Sequence, residues 1–297
     1  MTEILESLQF VYGPQVANGL AIGVAVILMA LGLTIIFGLL DVINMSHGEF
    51  YALGAYLAVT LVGKGVNFWL CLALVPVLMA AIGYFTERAL IQRVFHTKDR
   101  HILTLLLTFG LAIIAEDAFK LAYGPNPYKP ESPISGASEI LGIMLPNYRI
   151  FLIVAGTAII VAVWLVVYRT SLGAMVRAAA WDKHMAASLG VPVERVYAGT
   201  FAFGVALAGL SGVLLAPVYS VFPTMGKDFI LMAFTVVIVG GMGSIKGAVI
   251  AGLVLTQIQS VSSLFISPVW SDPLVFGIMV LFLMVRPQGL AGRLGHG

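Results

Sequence analysis

Polar and ionisable side chains are sparse in this sequence, and the densest set of them interrupts an apolar run at Gly38-Leu39-Leu40-Asp41-Val42-Ile43-Asn44-Met45-Ser46-His47-Gly48-Glu49-Phe50. Asp, His and Glu can exchange protons or hold an ion, while Asn and Ser can hydrogen-bond a small solute. An ionised group at the centre of a membrane helix costs roughly 2.5–3.5 kcal/mol on insertion scales, so such a set needs a wet cavity, a partner or an interfacial position. Two readings stand. In one, Thr34, Asn44, Ser46 and His47, with Thr235 far along the chain, offer small polar groups to a path. In the other, Asp41 and Glu49 are solvated in a short turn, His47 sits in that turn, Asn44 and Ser46 cap the next helix, and the threonines bond their own helix carbonyls.

A second chemistry-bearing stretch is Thr235 to Gly252, with Val239-Gly240-Gly241-Met242-Gly243-Ser244-Ile245-Lys246-Gly247 at its centre. A phosphate loop requires Gly-Lys-Ser/Thr after four intervening residues from its first glycine, and here Ile245 precedes Lys246 and Gly247 follows it. No nucleotide site is expected in this chain, and no His-Glu-x-x-His or cysteine spacing suggests a metal. Gly38, Gly48, Gly240, Gly241, Gly243 and Gly247 read instead as helix breaks and points of close backbone approach, Gly243-x-x-x-Gly247 having the spacing of membrane-helix packing motifs. Leu33–Gly38 and Phe234–Gly240 resemble each other ahead of their breaks, a weak sign of an internal repeat, although both would run in the same direction. Glu116 and Lys120, beside Asp117, have the spacing of a helical ion pair near the outer end of their run.

The elements that must position these residues follow from composition. The 297 residues are 60% hydrophobic and 10% charged, against about a quarter charged in soluble domains. Apolar runs fall at 16–40, 50–62, 68–84, 102–119, 150–167, 197–222, 229–239, 248–264 and 274–285. A bilayer core about 30 Å thick is spanned by roughly 20 helical residues, so the fold expected is all-α, a polytopic bundle of about eight to ten helices, some broken, forming one membrane domain over 1–297. Basic residues cluster at Arg88, Arg93, Lys98 and Arg100, at Arg169, Arg177, Lys183 and Arg195, and at Arg286 and Arg293, which places those connections in the cytoplasm. The result is about nine crossings with the N-terminus outside and the C-terminus inside. Residues Met1–Glu6 lack the basic start and cleavage site of a signal peptide. The outer loop 123–149 is proline-rich at Gly124–Pro133 and reads as irregular, a connector or a contact surface for an external partner. Cys71, the single cysteine, lies within an apolar run as a small packed or lipid-facing residue.

Residues 169–195 form the remaining chemical feature. The alanine-rich part predicts a short cytoplasmic helix stopped by Gly190 and Pro192, and apolar Met175, Val176, Met185 and Leu189 among the charges argue against a plain linker. Leu172-Gly173, Arg177-Ala178 and Ala186-Ala187-x-x-Gly190 together resemble the coupling loop of the branched-chain amino acid permeases of ABC importers. Gly38–Phe50 is similar to the same family's N-terminal motif, and Val239–Ser244 to a third. One departure stands out: many importer loops carry Glu-Ala-Ala-x-x-x-Gly, whereas His184-Met185-Ala186 occupies that place here. No ion pair of that glutamate carries over.

The resemblance implies the ABC importer permease fold and a heteromeric complex in a bacterial inner membrane, surrounded by lipid and free of nucleic acid. Its parts would be this chain, a homologous second permease, two cytoplasmic subunits that use ATP and Mg, and a periplasmic binding protein that delivers leucine, isoleucine or valine. Arg177, Trp181, Asp182, Lys183, Ala186, Ala187, Gly190 and Pro192 would then meet the ATPase, with Leu172–Gly190 as a rigid lever and no catalytic residue in the chain. Urea or short-amide importers of the same family have closely similar permeases. An ion-coupled secondary transporter is the alternative from another class, with Asp41 and Glu49 as its candidate carboxylates.

Overall fold

A computed structural model describes residues 11–95, 97–140 and 142–291. Met1–Glu6 and Arg293 lie outside them. In chain order the elements are α1 (Gly13–Leu40), α2 (His47–Gly63), α3 (Phe68–Thr86), α4 (Arg100–Tyr123), β1 (Ala137–Ile140), β2 (Ile143–Pro146), α5 (Asn147–Arg169), α6 (Ser171–Trp181), α7 (Lys183–Ser188), α8 (Val193–Leu215), α9 (Met225–Gly240), α10 (Ile245–Ser262) and α11 (Pro268–Val285). A π-helical turn, Glu87–Ile91, and a last turn, Gln92–Phe95, extend α3. Each apolar run of the sequence lands on one of these helices, and six spans, α1, α3 with its extension, α4, α5, α8 and α10, are long and apolar enough to cross a membrane.

Local chemistry sets the helix ends. Asn67 accepts a bond from the Trp69 amide to start α3, Ser244 accepts from Gly247 to start α10, and Pro14 and Pro192 sit where a missing amide hydrogen is harmless. α1 ends on Asp41, which closes the helix in the left-handed region at φ 52°.

Burial separates centre from periphery. In the apolar windows of α1 and α8, 83% and 78% of residues are buried, against 22%, 28% and 17% for α3, α4 and α5. The outer helices present Val77, Phe85, Ile114 and Val154 outward, as a bundle solvated by lipid should. α1 and α8 run antiparallel, Ser211 donating to the Ala25 carbonyl (2.7 Å) across their crossing. α3 lies on α8 and α10 on α1, while α2 packs on α8 and α9 on α1. The helices α1–α2–α3 are therefore matched by α8–α9–α10 in an inverted arrangement. The repeat is real, but it pairs α1 with α8, not the end of α1 with the end of α9 as the similar runs suggested.

The basic loops lie together at one end of the bundle, joined by Arg100–Asp41 (3.7 Å) and Arg88–Glu194 (3.5 Å). At the opposite end, the proline-rich segment is irregular as expected. It is tied down by reciprocal bonds between Tyr128 and Val221 (2.8 and 2.7 Å) and followed by the antiparallel hairpin β1–β2, Ala137 facing Pro146. That hairpin was not anticipated, because its strands are short and mostly exposed and show no alternation. Cys71 is fully buried.

Candidate translocation and coupling site

The polar stretch after α1 divides in two. Asp41 is exposed at the basic end, where its carbonyl accepts from His101 Nδ1–H (2.9 Å). From there the chain runs back into the bundle without helical structure, and the Met45 amide donates to Thr108 Oγ1 (3.1 Å), two turns into α4. Asn44, Ser46 and His47 are buried. Asn44 Oδ1 accepts from both the amide (3.2 Å) and the hydroxyl (2.7 Å) of Ser46, forming a local turn, so neither residue caps α2 through its side chain. His47 donates from Nε2–H to the carbonyl of Met29, near the middle of α1 (3.1 Å). That bond requires a proton on Nε2. α2 consequently begins deep inside the bundle.

α9 begins at the same depth. A Cβ built on Gly48 would collide with the Gly226 carbonyl and with Ile230, and one built on Gly226 would collide with the Glu49 carboxylate. The N-termini of two short helices thus meet head to head, one helix leaving toward each end of the bundle. This contact requires glycine, because only a backbone without Cβ permits such an approach. Thr235, further along α9, bonds its own helix carbonyl at Leu231 (2.9 Å). The Thr34 hydroxyl is buried without a hydrogen-bond partner among the described residues.

At the basic end, a cavity of about 870 Å³ is lined by Thr34 and Gly38 of α1, Asp41, Arg100, Arg177, Trp181 and Lys183 of the α6–α7 loop, Tyr197 of α8, and Gly243 and Ser244. Residues singled out separately in the sequence meet here: the path candidate Thr34, the glycines Gly38 and Gly243, and the loop residues Arg177, Trp181 and Lys183. Gly38 and Gly243 touch backbone to backbone, and Gly240 similarly meets Gly247. Gly241 (φ 96°) and Gly243 (φ 81°) turn the chain between α9 and α10. Asn44, Ser46, His47 and Thr235 do not reach this cavity.

The loop is not one rigid helix. α6 stops at Trp181 and α7 starts at Lys183, because Asp182 adopts an extended conformation and its carboxylate accepts from the His184 (2.8 Å) and Met185 (2.9 Å) amides. Those two bonds, Met185 first, hold its carboxyl below the ordinary aspartate range. Arg177 donates to the Val167 carbonyl and lies over the Tyr168 ring, pinning α6 to the end of α5. Ala186 is buried, while Ala187 is exposed with Trp181, Met185 and Leu189. Gly190 (φ 84°) and Pro192 then end α7 and open α8. A helix–cap–helix thus replaces the continuous lever expected, and it exposes apolar Leu172, Trp181, Met185 and Leu189 among the charged Arg177, Asp182 and Lys183.

Glu116 was read as pairing with Lys120, and it does (2.7 Å), Lys120 also meeting Asp117 (3.2 Å). Sequence reasoning missed its second partner, Lys227 at the start of α9. No local pattern links residues so far apart.

A multi-pass bundle built on an inverted helical repeat, with a polar break at mid-depth and a helical loop over a wide cavity at one end, has the design of a membrane transport component. Residues 15–284 match the family described as the permease component of branched-chain amino acid transport systems, and the chain belongs to that family. It is 31% identical to the high-affinity branched-chain amino acid transport system permease protein LivH of Escherichia coli, over 96% of this chain and 97% of the relative. It is 27% identical to LivM of the same organism, over 89% and 67%. Among solved structures it resembles PsaBC from Streptococcus pneumoniae in complex with Fab, with a TM-score of 0.55 and 15% identity over 97% and 96% of the two chains. That last likeness is one of fold.

Proposed function

We propose that this chain is the membrane-spanning permease subunit of an ABC importer that carries leucine, isoleucine or valine across a bacterial inner membrane. The observation that carries the reading is the family match over nearly the whole length, with relatives covered end to end. Similarity to both LivH and LivM supports a complex in which this chain pairs with a homologous second permease. Two cytoplasmic subunits would hydrolyse ATP with Mg, and a periplasmic binding protein would deliver the amino acid.

In this reading the basic end faces the cytoplasm, since Lys and Arg are retained there, and the N-terminus lies outside. The α6–α7 pair is the surface that meets an ATPase, through Trp181, Lys183, Ala187 and the apolar side chains of Met185 and Leu189. Arg177, Asp182, Ala186, Gly190 and Pro192 give the pair its shape. Movement of the pair is felt at once in the cavity it lines, where Thr34, Gly38 and Gly243 stand. Asn44, Ser46 and His47 serve the path indirectly, by setting the depth at which α2 begins, and Thr235 lies further along α9 on its own helix carbonyl.

The test is reconstitution in proteoliposomes with the two ATPases, the second permease and the binding protein. ATP-dependent accumulation of radiolabelled leucine, isoleucine or valine is the expected result. Accumulation of urea or a short amide instead would reassign the substrate, and accumulation insensitive to ATP would overturn the importer reading.

A further inference from the structure

The fold leaves charges of both signs where a lipid bilayer forbids them. Glu116 lies two turns inside the outer end of α4 (Arg100–Tyr123), or about 10 Å at 5.4 Å per turn. The α4 helix, about 36 Å long at 1.5 Å per residue, outreaches the hydrocarbon core by only a few ångströms at each end. Glu116 thus stands within hydrocarbon depth, with Lys120 one turn nearer the interface. The Glu116 side chain is 6% exposed and bridges Lys120 and Lys227. Lys227, however, is 58% exposed and Lys120 43%, and Asp117 and Asp228 beside them are exposed as well. Side chains so charged do not face lipid. The face they share must be wet or polar in the assembled protein.

A second observation points into the same place. Glu49, on the first turn of α2, is buried, and its Oε2 has no hydrogen-bond partner among the described residues. It lies in electrostatic reach of Glu116, Lys227 and Lys120, directly over the bare backbone of Gly226. Two carboxylates and two ammonium groups therefore converge where α2 and α9 start, an unpartnered oxygen among them. These four groups balance one another, and Asp117, which also meets Lys120 (3.2 Å), and Asp228 add negative charge at their rim. An incoming molecule with one ammonium and one carboxylate could exchange partners with it without changing its net charge, the carboxylate going to the lysines and the ammonium to the glutamates.

From this we propose that Glu49, Glu116, Lys120 and Lys227 form a station in the path for the zwitterionic head group of an α-amino acid. The proposal rests on the transporter reading above and names the part of the path that recognises the backbone of the substrate, not its side chain. A station of this kind acts on the rate of passage, because the binding protein sets the apparent affinity.

The experiment uses the full complex in proteoliposomes with radiolabelled leucine, each variant first quantified for co-purification with its ATPases. Lys227→Met lowers maximal uptake about tenfold, the scale of one lost charge-assisted contact, with little change in half-saturating leucine. The exchange Glu116→Lys with Lys227→Glu remakes an ion pair between the same two helices but reverses its polarity, and uptake per assembled complex stays low. Should the exchanged pair not assemble, Glu116→Gln with Lys227→Gln, a neutral hydrogen-bonding pair, is expected to show the same loss. Recovery of wild-type uptake by either double variant, or wild-type uptake by Lys227→Met, would reduce the cluster to a structural pin and overturn the proposal. If the wild-type complex itself moves none of the three amino acids, the transporter reading has failed, an outcome separable from both.

Discussion

At the scale of single residues, the glycines divide sharply by what surrounds them. A Cβ on Gly48 would overlap the Gly226 backbone, whereas one on Gly110, inside α4, would meet nothing within 4 Å. Forcing a methyl group into a packed contact costs about 1–3 kcal/mol, so Gly48→Ala should lower the thermal midpoint of the purified protein by several degrees. Gly110→Ala should leave it unchanged or raise it, since Ala is the better helix former by about 1 kcal/mol. The Tyr148 hydroxyl donates to the Leu214 carbonyl (2.7 Å) in a buried setting. Tyr148→Phe leaves that carbonyl unpaired, and destabilisation of about 1–2 kcal/mol in a denaturation series is expected. Sequence could nominate Gly48 as a break but could not name its partner, because Gly226 belongs to a distant helix and carries no side chain to signal the contact. The same reasoning accounts for the surprise at Lys227, whose partner Glu116 sits on a helix far away in the sequence.

At the scale of elements, every apolar run became a helix, since run length and hydrophobicity are local properties that the bilayer reads directly. Depth was not legible. Asp41 to Glu49 could be a solvated turn or a polar insertion, and the structure makes it both: exposed at Asp41, buried from Asn44 on. Nothing in an extended segment records which way it heads after the helix before it ends. The loop from Ser171 to Ser188 was legible as helical but not as broken, because alanine-rich sequence outweighed the one residue, Asp182, able to start a new helix. Asp182→Ala should speed amide exchange over residues 183–188 several-fold, and Asp182→Asn, which can still accept, should restore much of the protection. The pH dependence follows from the lowered carboxyl. The ionised cap is fully in place above the ordinary aspartate value of 3.8 and is lost only as pH falls through its lower folded value. Exchange in α7, corrected for its intrinsic pH dependence, should therefore show constant protection from pH 8 to about pH 5.

For the whole molecule, one-sided clustering of basic loops was readable from the sequence, and the fold brings those loops to one end. The orientation it implies can be checked with proteases of opposite taste. A glutamate-specific protease added outside sealed, right-side-out vesicles should cut after Glu131 or Glu139, which are exposed at the end opposite the basic loops. Trypsin should reach Lys183, exposed between α6 and α7, only when the vesicles are inverted. The reverse pattern would turn the molecule over. The inverted repeat, by contrast, was visible only as a misleading echo between two runs, since symmetry of packing need not survive as similarity of sequence.

Burial of Cys71 has a practical corollary. Because the one native thiol is sealed inside the bundle, the protein already serves as an unlabelled background for spectroscopy. A nitroxide or fluorophore placed at Leu189 and another at Tyr128 would report the separation of loop and outer surface through a turnover cycle, with no native sulfur to remove beforehand.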